Sequence, residues 1–98
     1  NKIGVLGHLA EFKEDGSRCY RSMVFCIDLE TGQSTETEVI AERSDFPSGD
    51  SKRPDLQDVI FSGGLIRLGR GQARLFAGLS DAEAGSLDLP DPFLKFLA

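Results

Sequence analysis

Cys19-Tyr20-Arg21-Ser22-Met23-Val24-Phe25-Cys26-Ile27-Asp28 alternates with a period of two: one face carries Cys19, Met23, Phe25 and Ile27, the other Tyr20, Val24 and Cys26. Successive strand residues point to opposite sides of a sheet. A strand apolar on both sides is therefore central in its sheet and sandwiched between layers. Leu29-Glu30-Thr31-Gly32-Gln33 turns the chain, with Gly32 free to take a positive φ. Ser34-Thr35-Glu36-Thr37-Glu38-Val39-Ile40-Ala41 follows, polar at alternate positions and rich in β-branched residues. It reads as the half-exposed partner of a hairpin.

Working outward, Ile3 to Phe12 is a further strand that ends at the Asp15-Gly16 turn. Its two glycines, Gly4 and Gly7, indicate a bend or a close backbone approach. Downstream, Val59-Ile60-Phe61 leads through Ser62-Gly63-Gly64 to Leu65-Ile66-Arg67-Leu68; Gly69-Arg70-Gly71-Gln72 turns and Ala73 to Leu79 returns. A short sixth strand is expected around Gly85–Leu89. Between the hairpins, residues 42–57 are irregular, charge-rich and punctuated by Pro47, Gly49 and Pro54. Connections this long in compact domains tend to be functional loops or linkers, and this one is expected to cross between two neighbouring sheets. In the tail, Asp91 is placed to cap and Pro92 to occupy the first position of one helical turn.

The reading is thus all-β, a set of antiparallel meander sheets. The chain has 98 residues, 40% hydrophobic and 28% charged, which is room for one ordinary globular unit. No apolar run reaches the 18 residues of a membrane span, so no membrane partner is expected. The net charge of −5 argues against nucleic acid, whose phosphates demand clustered Lys and Arg; the dense pair Lys52-Arg53 is flanked by Asp50 and Asp55. Asn1-Lys2-Ile3-Gly4 has neither an initiator Met nor a signal pattern, and upstream sequence is expected to precede it.

Cys19 and Cys26 lie seven residues apart in one strand, about 23 Å at ~3.3 Å per residue, too far for the ~7 Å Cα limit of a disulfide. They are expected to be reduced packing residues in a cytoplasmic protein. Without a second His or a Cys-x-x-Cys, no metal or other cofactor is expected.

Taken in order, several segments resemble the mannoside phosphorylase family (glycoside hydrolase family 130). They are Lys2-Ile3-Gly4, the Tyr20–Asp28 strand ending in Asp28-Leu29-Glu30, and Val39-Ile40-Ala41-Glu42-Arg43-Ser44. Asp58 to Leu65 looks like that family's N-V-V-F-P-x-G segment, and Phe76-Ala77-Gly78-Leu79-Ser80-Asp81 like its Y-Y-G-A-A-D-T. A closer likeness is to a domain family of unknown function that carries V-F-S-G-G-L and G-x-S-D-A-E-A-G at these places. Both families are five-bladed β-propellers. The resemblance therefore implies that this chain is the last one to two blades of such a propeller, with strands at about 2–41 and 58–89, a linking loop at 42–57 and a tail at 90–98. It further implies a carbohydrate-active protein, a glycosidase-like enzyme in its full length, whose partners are a small carbohydrate, phosphate and the remaining blades. The alternative is a propeller that binds carbohydrate, or another partner, without catalysis. The phosphorylases' Y-H-G segment finds no match here, which leaves hydrolysis or binding alone more open than phosphorolysis.

Asp81 is the leading site residue, since its family counterpart contacts the sugar and a carboxylate makes strong charge-assisted hydrogen bonds to hydroxyls; the same Asp could simply start a turn. Glu83 would share its face in extended chain, or be solvated surface. Lys2 corresponds to a phosphate-contacting position in the phosphorylases, against the ordinary reading of an exposed lysine. His8, the single histidine, is either a structural hydrogen-bonding residue or a donor lining the pocket. Gly63 and Gly64 permit a bulge, tight packing or a close backbone approach to ligand. Arg53 could reach an anion or pair with Asp50 or Asp55.

Overall fold

The computed structural model describes residues 2–49, 51 and 53–97. Its strands are β1 (Lys2–Phe12), β2 (Arg18–Asp28), β3 (Glu38–Ala41), β4 (Asp58–Gly69), β5 (Gln72–Leu79) and β6 (Glu83–Pro90), followed by a short helix α1 (Leu94–Leu97). β1, β2 and β3 make one antiparallel sheet, and β4, β5 and β6 make a second. The two join where Cys19 and Tyr20 pair in parallel with Asp58 and Val59. β1 covers one edge of β2 along its full length. On the other edge β3 pairs with Ser22–Val24 and β4 with Cys19–Tyr20, so β2 is central, as its pattern requires.

The sheets share a core. Ile60, Leu75, Ala77, Leu79 and Leu89 of the second sheet meet Ala41 of the first and Phe46 of the connecting loop, with Leu6, Ile40 and Leu87 packed at the margin. Fully buried side chains such as Ile60 and Leu75 each stabilise the fold by about 1.5–3 kcal/mol through removal from water. A second cluster joins Val24 and Cys26 to Phe93 of the tail. A Cβ built on Gly4 would lie 2.7 Å from the Phe93 ring, so the glycine is what lets the ring lie against β1.

The opposite faces are different. Cross-strand pairs Ile3–Ile27 and Val5–Phe25 point away from the Leu6–Val24 face, and Ile3 is 48% exposed. On the second sheet Phe76 and Ile66 turn away from Leu75 and Ala77 and are 40% and 54% exposed. Each sheet thus has one buried face and one half-exposed apolar face. The pair does not close on itself, and its radius of gyration of 14.5 Å exceeds the about 13 Å of a compact chain this long. This open pair of blade-like sheets is a partial propeller.

Three local features depart from the strand-by-strand expectation. β3 begins at Glu38 rather than Ser34. Upstream of it a lone bridge pairs Ile27 with Ser34, and the Thr35 hydroxyl accepts the Cys26 N–H at 2.9 Å. A side chain has taken over a ladder hydrogen bond, which stops the strand there. Residues 42–57, expected to be irregular, contain two 3-10 turns, Arg43–Asp45 and Pro54–Leu56. Finally, Ser62-Gly63-Gly64 does not break β4: the strand runs through it with a register shift between Ser62 and Gly64. Both cysteines are free and buried. In the tail, Asp91 accepts the Phe93 N–H at 2.9 Å and pairs with Arg67 at 2.6 Å.

Candidate functional site

The start of β2 and β4, the far end of β1, the Pro54–Leu56 turn and the β5–β6 turn all gather at one end of the sheets. The β1–β2 register carries His8 next to Tyr20 diagonally, since His8 faces Ser22 and Ala10 faces Tyr20. Diagonal neighbours on one face are within reach of aromatic side chains. The two rings lie parallel with centroids 5.8 Å apart, and Phe61 of β4 stands perpendicular to both, 5.8 Å from His8 and 5.4 Å from Tyr20. Edge-to-face and offset packing at these distances is the favoured aromatic geometry. Below the rings, Ser62 Oγ is 2.7 Å from the Gly7 carbonyl and 2.8 Å from the fully buried Ser22 hydroxyl. Ser62 has one proton, which goes to the carbonyl, while Ser22 donates to Ser62. This chain of bonds pins the two sheets together under the aromatic group.

Phe61 also borders a cavity of about 190 Å³ whose other walls are Arg18, Arg53, Leu56 and Asp81. Arg18 stacks over Phe12 at 5.7 Å, and Arg53 pairs with Asp55 at 3.2 Å; Asp50 lies outside the described residues. The hollow therefore offers an aromatic wall, two guanidinium groups and a carboxylate, a combination suited to a small hydroxylated ring with a polar rim and apolar C–H faces.

Asp81 reaches the hollow from a strained turn. Ser80 and Asp81 have φ of 54° and 57°, the left-handed region that costs a non-glycine residue about 1–2 kcal/mol each. Ser80 is fully buried. Its N–H donates to Val59 O at 2.7 Å and its hydroxyl to Gln57 O at 2.9 Å, while the hydroxyl oxygen accepts from Arg43 Nε at 2.9 Å.

A separate, larger hollow of about 550 Å³ is bordered by Lys13, Arg43, Ser44, Ser48 and Asp58 among others. Lys13 and Asp58 pair there at 2.8 Å. Burial pushes the Asp58 carboxyl up, but hydrogen bonds from Lys13 and the Cys19 thiol outweigh it and hold the group below its usual value. Burial, reinforced by Asp58, raises the Cys19 thiol, which keeps it protonated and unreactive.

Of the residues singled out in the sequence, Asp81 borders the hollow, while His8 packs against Phe61 without bordering it. Lys2 does not join them: it stands six residues from His8 along β1, about 20 Å at strand rise, beside Cys26, Asp28 and Thr35. Gly63 sits at the bulge with the Phe76 carbonyl 3.3 Å from where its Cβ would be, and Gly64 faces open space; neither borders the Asp81 hollow. Glu83 lies with its carboxylate against Gly49. Sequence reasoning passed over Tyr20, Phe61 and Arg18 as site residues, although their strand parity was readable. It also passed over Arg43 and Ser80, whose contact spans 37 residues. Among the described residues no cluster of His, Cys, Asp or Glu could hold a metal ion, and no helix is long and apolar enough to cross a membrane.

The sequence pattern of the family described as "Protein of unknown function (DUF1861)" matches residues 1–95. The chain belongs to that family. No curated protein matches it. Among solved structures it is similar to MPT-4, a mannose phosphorylase from Leishmania mexicana in complex with phosphate ion, at 27% identity and a TM-score of 0.83 over 94% of this chain. A hypothetical protein from Leishmania major is similar at 26% identity and a TM-score of 0.85 over 95%. MPT-1, a GDP-Man-dependent mannosyltransferase from Leishmania mexicana, matches 97% at a TM-score of 0.83, and at 22% identity that likeness is one of fold. This DUF1861 chain spans only 30–32% of the length of these three structures.

Proposed function

We propose that the chain forms one wall of the sugar pocket in a mannoside-processing propeller, acting as the closing one or two of five blades. Asp81 accepts hydrogen bonds from sugar hydroxyls, and Phe61, backed by His8 and Tyr20, lies against the apolar C–H face. Arg18 and Arg53 supply the charge that an anionic group, phosphate included, would seek. The observation that carries this reading is the convergence of Asp81, two arginines and the aromatic group on one small hollow. Its support from outside is the likeness to a mannose phosphorylase in complex with phosphate ion. The half-exposed apolar faces of both sheets fit a chain flanked by further blades on either side. Two buried free thiols favour a cytoplasmic setting.

The test is to incubate the full-length protein with a panel of mannosides, with and without phosphate, and compare it with Asp81→Asn. Turnover or binding that falls at least tenfold in the variant supports the reading; unchanged values remove Asp81 from the site. Binding by calorimetry with no turnover of any member would make the protein a carbohydrate-binding propeller rather than an enzyme.

A further inference from the structure

We propose that Arg43 is a positioning residue, acting through Ser80 to fix the turn that presents Asp81. The inference rests on the sugar-site reading above for its purpose, but its geometry stands alone. Arg43 opens the first 3-10 turn of the connecting loop and is only 6% exposed. Nε donates to Ser80 Oγ at 2.9 Å and Nη1 to the Pro47 carbonyl at 2.8 Å, while Nη2 is buried with no hydrogen-bond partner. Among the described residues no carboxylate pairs with it. A buried cation without an anion is a poor device for stability, because desolvation outweighs what neutral acceptors return. Such a group marks a place where geometry is being held.

What it holds is Ser80. Its N–H and its hydroxyl are fully engaged, by Val59, Gln57 and Arg43. A glycine at position 80 would take φ of 54° without strain, yet would offer Arg43 no oxygen. The serine exchanges backbone ease for a three-point anchor, and the anchor sits one residue before Asp81. Asp81 is itself left-handed, and the turn is closed by the Ala82 N–H on Leu79 O at 3.0 Å. With residue 80 clamped and residue 82 tied back, the backbone that carries Asp81 is fixed from both sides, and the bond between Arg43 and Ser80 is the long-range contact in that clamp.

Two measurements on the full-length protein separate this role from a general stabilising one. The first is the NMR backbone conformation at residues 80–82 in Arg43→Met, with Ser80→Gly as the variant that removes the acceptor should Arg43→Met not fold. The expected result is loss of the fixed left-handed conformation at Asp81 while the β5–β6 ladder persists; an unaltered turn in either variant overturns the proposal. The second is a double-mutant cycle on mannose binding, with and without inorganic phosphate. Arg43→Met should weaken binding roughly tenfold, about the worth of one charge-assisted hydrogen bond, and should weaken it no further in an Asp81→Asn background. Equal losses in both backgrounds would overturn it. If Asp81→Asn leaves binding unchanged while Arg43→Met still releases the turn, the sugar-site reading fails and the positioning role stands.

Discussion

The two hairpin turns of the second sheet solve the same backbone problem by opposite means. Between β4 and β5 the left-handed run falls on Gly69, Arg70 and Gly71, with φ of 82°, 57° and 77°. Two of the three residues have no Cβ to clash, and Gly69 and Arg70 lie exposed. Between β5 and β6 the run falls on Ser80 and Asp81 with no glycine at all, and Ser80 is buried and anchored at three points. One turn is easy and local. The other is strained and held by a loop 37 residues away. The difference teaches where the fold invests in fixing a side chain, and it does so at Asp81.

The sharpest way to break the contrast is Ser80→Val. A β-branched residue is a poor fit to φ of 54°, and Arg43 Nε and Gln57 O would lose their partner, at about 1–3 kcal/mol for each buried orphan. Destabilisation of about 3 kcal/mol or more is expected, read as the urea midpoint of the full-length protein. Gly71→Val tests the easy turn: φ of 77° penalises any Cβ, by about 1–2 kcal/mol. The midpoint should fall by less than for Ser80→Val, with mannose affinity unchanged. A loss of affinity equal to that of Asp81→Asn would erase the distinction between the turns.

Acid should act on the anchored end. The folded Asp58 value is held low, so its ionised form favours the native state above the ordinary value of 3.8. That contribution disappears as pH falls through the lower folded value. Stability measured against pH should therefore drop more steeply below about pH 4 in the native protein than in Asp58→Asn. The smallest effect is expected of Arg70→Asn. It installs Asn-Gly, the preferred pair for this turn, and should raise stability by a few tenths of a kcal/mol without touching binding.

Much of this was readable along the chain. The two-sided apolar pattern of residues 19–28 placed β2 in the middle of its sheet, and turn residues marked the hairpins. Those signals are local, and strand patterning is set by local burial. The end of β3 was not readable, because a single Thr35 hydroxyl decides it. Nor was the passage of β4 through two glycines, where pairing with β5 carries the strand past a weak sequence. At the candidate site, Asp81 was singled out through family likeness, and it borders the hollow. The pairing of Arg43 with Ser80 was hidden, since a contact between distant residues leaves no periodic trace. Lys2 and His8 share a strand face, yet strand rise alone separates them; the likeness did not measure that distance.

Phe93 rests on Gly4 and against Val24 and Cys26, so the tail acts as a latch on the hairpin that begins the chain's first sheet. Loss of the Phe93 ring would unfasten strand β1, which lies close in space though remote along the polypeptide. A change at position 93 would thus register as damage to a strand some ninety residues earlier.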